Sequence, residues 1–540
     1  MLSVSTGGEA LIFPGCTTLE FADEIDLSSH NPANDIPEGA PVARPTFTAH
    51  ALRFAEGTAF CGLLLYAVFA PHSIAGAWIA LSVSISGWLA RGLLRRTLQL
   101  QRTPLDLPLW LFYAWSGVSA LLSAEPRISL LKLISVSTFF IFYFVHSLVT
   151  RRTAVIIAAL MIASGAAGAL RSAFEVARGR GVVVEEIETD SPLRRHASSG
   201  VAAGDSIWRV NERRVNSVAE IDQAIRDAPA GEPLKLSLFS QGEQVEREGL
   251  IVTSELKERE SPSGLRGTRL SHRFRASGWT RHYETFAETL QILAQLSLGF
   301  ALAHWQRRRQ TSPLPRLRFA LFAAAFLVLA AGIALTAMRT ALVAFAIGAC
   351  VVAWRTTAAA AAHGRARLVV IVVVAVAVAS GAFAVWVTRS EGALSLQDDS
   401  ARLRFEVARV ALARVPVRPV FGHGMDAVKE HWTEWGFPGD VQIHTHSTPL
   451  QLAFDRGLPA LLLWLWLLTV FWLTLSRGEK QFRLSPDAGA HGLLLGATGA
   501  FAGFCASSLV NYNFGDAEVA LVLWWLMGTV VKIVSREPLR

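Results

Sequence analysis

The chain has 540 residues, of which 52% are hydrophobic and 17% charged, and it carries a formal net charge of +8. Its mean hydropathy of +0.37 excludes an ordinary soluble domain and points to a polytopic membrane protein. The high sequence pI of about 9.7 does not mark a nucleic-acid binder, because the cations are mostly arginines in short loops between apolar runs, where they set membrane orientation.

Residues 1–52 hold no compact apolar core followed by a small-residue cleavage site, so they read as a polar, disordered cytoplasmic tail and not as a signal peptide. Twelve apolar stretches follow, near 53–70, 74–94, 105–123, 128–149, 153–174, 285–305, 317–338, 340–355, 367–387, 447–475, 489–510 and 515–534. Most are close to the roughly 20 residues that cross a hydrocarbon core, and the eighth is short. The expected fold class is therefore an α-helical polytopic membrane protein of about 12 transmembrane helices, with a small α+β domain inserted. Of the cysteines, Cys61, Cys350 and Cys505 fall in apolar runs and Cys16 in the tail, which predicts packing residues and no disulfide framework.

Alternate loops separate by charge. One set holds Arg91, Arg95, Arg96 and Arg102, then Arg151 and Arg152, then Arg307, Arg308, Arg309, Arg316 and Arg318, then Arg355, Arg365 and Arg367, then Arg477, Lys480 and Arg483. The positive-inside bias puts these loops and both termini in the cytoplasm. Two long segments, 175–284 and 388–446, then face outward.

The first outward segment has short β-rich runs at Val182–Ile187, Ser206–Val210 and Leu234–Phe239, and an amphipathic helical run at Val218–Asp227. Over residues 175–260 it resembles a bacterial PDZ domain, carried by Ser191-Pro192-Leu193, "GVAAGDSIWRVN" from Gly200 and "VNSVAEIDQAI" from Val215. The resemblance implies an extended peptide or protein partner added to a sheet edge; a spacer packed on the membrane domain is the alternative. Its carboxylate-binding loop is not evident before Gly181.

The second outward segment begins with an amphipathic helical pattern carrying Arg402, Arg404 and Arg409, reaches the glycines of "FGHG" after Pro419, and ends in "HTHSTPLQLAFDRG" from His444. These residues resemble the O-antigen ligase and polymerase superfamily. The resemblance puts the family arginine on Arg404, its turn on Pro419, Gly422 and Gly424, and its histidine on His446. Ser447 and Asp455 stand where that family has Asn and Glu, and Met338 stands where it has Ser, in "LTAMRTALVAFAIG" around Arg339. "RASGW" from Arg275 resembles a further element of the same family, and the likeness extends over most of residues 105–535 outside the insertion.

What the resemblance implies is a metal-independent membrane glycosyltransferase without a cofactor, in polysaccharide or lipopolysaccharide biosynthesis at the bacterial inner membrane. The donor is a polyprenyl-diphosphate-linked glycan, and the acceptor a glycan, lipid or protein hydroxyl. Guanidinium groups suit a leaving diphosphate because their planar fork grips two oxygens. Arg339, Arg404, Arg402 and Arg275 are the expected diphosphate ligands. His446 is the expected catalyst, since imidazole titrates near neutral pH. Asp455, His444 and His282 are expected to orient substrate.

Each of these residues has a blander reading, as a snorkelling arginine, a solvated helix face or a surface histidine. The His444-Thr445-His446 spacing lacks a convincing third zinc ligand. A permease or flippase of lipid-linked glycans is the alternative function. It would place ionisable groups near the bilayer midplane, whereas here they stand at span ends and in outer loops. The residues do not separate ligation from polymerisation of repeat units or transfer to protein.

Overall fold

The computed structural model describes residues 47–98, 100–194, 200–240, 243–272, 274–307, 314–358 and 399–535. The expected tail before residue 47 and the ninth stretch, 367–387, lie outside the described residues. The first helix, α1 (Phe47–Phe69), starts before the expected boundary at residue 53. It is followed by α2 (Ile74–Arg95), α3 (Asp106–Leu122), α4 (Pro126–Val136), α5 (Phe140–Leu148) and α6 (Arg151–Arg178). The fourth apolar stretch is thus two helices, α4 and α5, joined by a short 3₁₀ turn at Ser137–Phe139.

The sheet domain comes next: β1 (Val182–Ile187), β2 (Ser206–Val210), β3 (Arg213–Arg214), α7 (Val218–Asp227), β4 (Pro233–Ser240), β5 (Glu243–Ile251), α8 (Ser254–Glu258) and β6 (Leu265–Leu270). The bundle resumes with α9 (Tyr283–Gln306), α10 (Leu314–Leu335) and α11 (Arg339–Ala358). After these come α12 (Asp399–Arg414), α13 (Ala427–Glu430), α14 (Thr448–Phe482), α15 (Ala488–Ser508) and α16 (Ala517–Ser535). Among the described residues, ten helices are long and apolar enough to cross a membrane, counting α4 and α5 as one. The third expected stretch is α3, a helix of 17 residues.

The bundle is built around α9. Every residue of its apolar window is buried, against about one-third for α1 and α2. So deep a position needs small partners, because lipid supplies no hydrophobic force between helices and contact must come from close backbone approach. Gly299 faces Gly492 and Gly496 of α15, and a Cβ on Gly299 would lie 2.2 Å from the Gly496 nitrogen. Alanine there would push the two helices apart.

The sheet is antiparallel, in the order β5-β4-β2-β1-β6, with β3 paired to β2. Ile207, Val210, Ile221, Ile225, Leu234, Leu236 and Leu238 form its own core. Helix α7 begins at Ser217, whose side chain accepts from the Glu220 amide, and its strong amphipathicity lays Ile221 and Ile225 on that core. The sheet runs on to Leu270, beyond the segment 175–260 that the sequence marks.

Helix α14 is broken at Gly457, whose φ of 79° is left-handed, just before Pro459. The turn at 419–424 packs into this break. The Leu458 amide donates to the Pro419 carbonyl at 2.8 Å, the His423 amide to Phe454 at 2.8 Å and the Gly424 amide to Asp455 at 2.9 Å. A Cβ on Gly422 would lie 2.3 Å from the Asp455 carbonyl carbon, so the turn can approach only because it is glycine. The backbone groups freed by the kink are thereby satisfied, as buried polar groups must be.

Candidate active site

The amino ends of α9, α11 and α14 meet the carboxyl end of α15 at one end of the bundle, with α12 laid beside them. They enclose a cavity of about 430 Å³ lined by Arg275, Tyr283, Glu284, Arg339, Arg404 and His446, with Met338, Thr340, Phe405 and Leu509 among its other walls. Four residues expected from sequence thus converge from four separate segments.

Each functional group is held by a different device. Arg404 donates from Nη2 to Glu284 Oε1 at 3.1 Å. The Arg275 guanidinium lies 4.4 Å from the Tyr283 ring centroid and donates to its hydroxyl, which in turn donates to Glu284 at 3.2 Å. Arg339 opens α11, one residue after Met338, where a turn at Ala337 with a left-handed φ of 52° ends α10. Among the described residues, three guanidinium groups therefore share the cavity wall with one carboxylate, Glu284.

His446 also has a left-handed φ, 57°, which is uncommon for a residue with a Cβ. Its loop is pinned on both sides. The Thr445 amide donates to Gln451 Oε1 at 2.6 Å, and Ser447 caps α14 by accepting from the Leu450 amide. Gln451 then donates to Asp455 Oδ1 at 2.8 Å. Burial, with the nearby His444 and Arg404 charges opposing a further cation, pushes the His446 imidazole down to about 3. Sequence alone suggests titration near neutrality; in the fold the ring is uncharged at pH 7 because solvent is lost and Arg404 is close.

Four other sequence candidates take different places. Arg402 is exposed and pairs with Glu406 at 3.0 Å on its own helix. Two residues from Arg404, it points to a different side of α12, because neighbours on one helical face are three or four apart. His282 precedes α9 as an exposed N-cap residue without a side-chain cap bond, and it is not among the residues that line the cavity, whereas its neighbour Tyr283 is. His444 stands behind His446, ring centroids 4.6 Å apart and edge-to-face, and burial lowers its pKa. Asp455 is 2% exposed, and it reaches the cavity only through Gln451 and the Thr445 amide.

Tyr283 and Glu284 were not singled out by sequence. An acidic residue in the first turn of a helix is a common, favourable partner of the helix dipole, so Glu284 carries no signal by itself. The usable signal was their closeness to Arg275 in "RASGWTRHYE".

Long apolar helices packed around a buried centre, with charged groups gathered at one end, define a multi-pass membrane protein with a polar site at a helix-bundle mouth. Residues 323–465 match the family model described as O-Antigen ligase. That family supports glycan transfer in lipopolysaccharide or polysaccharide biosynthesis, from lipid-linked glycans to glycan acceptors. The match includes Arg339, Arg404, His446 and Asp455; Arg275, Tyr283 and Glu284 lie before it. No curated protein matches the chain.

Proposed function

We propose that the cavity transfers a glycan from a polyprenyl-diphosphate carrier to an acceptor hydroxyl at the periplasmic face of the bacterial inner membrane, in a chain with both termini cytoplasmic. The reading covers ligation to a lipid-borne acceptor and polymerisation of repeat units. The observation that carries it is the meeting of Arg275, Arg339 and Arg404 with His446 around one cavity.

The acceptor oxygen forms a bond to the anomeric carbon while the bond from that carbon to the diphosphate oxygen breaks. The electron pair leaves with the diphosphate, and the arginines take up the developing charge through paired N–H donors. The hydroxyl proton passes to His446, whose ring is neutral and so has a lone pair to offer. Arrival of an anionic diphosphate offsets the repulsion from Arg404 and makes the ring a better base when the donor is bound. Asp455 positions this histidine by way of Gln451.

The test is deletion of the gene followed by analysis of lipid-linked glycan in each leaflet. Precursor gathering on the periplasmic side, cured by the intact chain and not by His446→Ala, is the expected result. Precursor confined to the cytoplasmic leaflet would instead mark a flippase.

A further inference from the structure

The sheet domain has an unusual neighbour on one side of β1. Strand β2 pairs with one edge, and β6 runs antiparallel along the other, from Val182 opposite Leu270 to Ile187 opposite Leu265. The segment leading into β6 is tied to α7 as well. The Ser263 amide donates to Asp222 at 2.8 Å, Arg226 donates to the Glu260 carbonyl at 2.9 Å, and Leu265 is buried in the same core as Ile221 and Ile225. An extended segment seated between a strand edge and a helix is the geometry by which peptides dock through strand addition. Here the chain supplies that segment itself.

Strand β6 then leads straight to the cavity. The Arg180 amide donates to the Ser271 carbonyl at 2.7 Å, and the Ser271 amide to Gly181 at 3.1 Å. Phe274 packs with Trp208 and Phe239 of the sheet domain. The Ala276 amide donates to Leu335 of α10 at 3.0 Å, and the Gly278 amide to Ser172 of α6 at 3.2 Å. Arg275 stands between Phe274, anchored to the sheet, and Ala276, anchored to the bundle.

We infer that the inserted sheet domain is a positioning device: β6, docked in the strand-addition groove of its own domain, sets the place of Arg275 in the cavity. The inference concerns the position of residue 275 whatever the cavity binds, and only its turnover arm rests on the proposed function. In the full chain with Cys16, Cys61, Cys350 and Cys505 replaced by alanine, Arg275→Cys provides a thiol whose alkylation rate reads that position. Leu265→Ala should raise hydrogen exchange across β6 and change the alkylation rate by about tenfold or more, as local opening of a docked strand does. Leu238→Ala, in β4 and away from β6, should leave the rate near its starting value, which a general loss of domain stability would not.

In the chain that keeps Arg275, Leu265→Ala should raise the KM for a polyprenyl-diphosphate glycan, and adding Arg275→Lys should cost little more, because both changes act through one group. Arg269→Pro, opposite Val183, breaks the β1–β6 pairing by a second route if truncation leaves the strand docked or the chain misfolded. Faster exchange in β6 with alkylation at residue 275 unchanged would overturn the inference, as would equal effects of Leu238→Ala and Leu265→Ala. Altered alkylation with no turnover of the glycan by any form of the chain would keep it while removing the proposed function.

Discussion

The arginines of the sheet domain and those at the bundle mouth differ in how many carboxylates they share. On the sheet domain, cations meet carboxylates of their own: Arg209 with Glu212 at 2.8 Å, Arg213 with Asp227 at 3.0 Å, Arg266 with Glu188 at 2.6 Å and Arg269 with Glu185 at 3.2 Å. At the mouth, among the described residues, Arg275, Arg339 and Arg404 line the cavity with Glu284 as its one carboxylate. Exposed pairs are screened by water and contribute little, whereas positive charge concentrated in a half-enclosed site draws an anion strongly. The difference teaches that the number of arginines is a poor guide to a site; their excess over nearby carboxylates in a concave place is a better one.

Breaking the mouth should cost far more than breaking the sheet surface. The largest effect is expected for His446→Ala, a loss of about 10²–10⁴ in turnover as for removal of a general base, with protein abundance unchanged; both are read from glycan product and immunoblot in complemented cells. Next, Arg339→Lys and Arg404→Lys should each lower turnover of a purified polyprenyl-diphosphate glycan by about 10- to 100-fold, since lysine keeps the charge and loses the fork. Near-normal rates in both variants would return these residues to interfacial snorkelling.

Asp455→Ala sharpens the comparison from beneath. It leaves the buried Gln451 amide without its acceptor, a cost of about 1–3 kcal/mol in stability. It should also slow turnover without moving donor affinity, as seen in thermal melts and in the split between kcat and KM.

The pH response follows from His446. Its folded pKa, about 3, lies below the unfolded value, so the unfolded state binds more protons between the two. Stability from this residue is full above the unfolded pKa near 6.5 and is lost as pH falls towards 3. For the free protein, kcat/KM should show no histidine limb between pH 8 and pH 5; a limb near 6.5 would mean that His446 is hydrated and not held as described. The smallest effect is expected on the sheet surface. Arg213→Ala, which removes an ion pair more than half exposed on both sides, should change stability by at most about 0.5 kcal/mol in a denaturant melt.

Much of this architecture is legible in one dimension. Apolar stretches of membrane length and arginine-rich loops depend on composition and local order, because the bilayer demands long helices whose backbone groups are paired internally. The strands at Val182–Ile187 and Ser206–Val210 and the helix at Val218–Asp227 follow likewise from local period and turn chemistry.

Other decisions were made only in three dimensions. Arg402 and Arg404 are alike in sequence, yet one rotation of α12 sends Arg402 to Glu406 and Arg404 to Glu284 across the cavity. Asp455 became a support because Gln451 stands one turn before it, with its carbonyl oxygen free to hold the Thr445 amide. Strand β6 lies beyond the expected insertion because its partner, β1, is some 80 residues away in the chain. Sequence determined which segments form long apolar helices of membrane length, since that outcome depends on local hydrophobicity. Tertiary structure alone decided which polar groups meet, because contact between distant segments depends on helix rotation, glycine-limited approach and strand register.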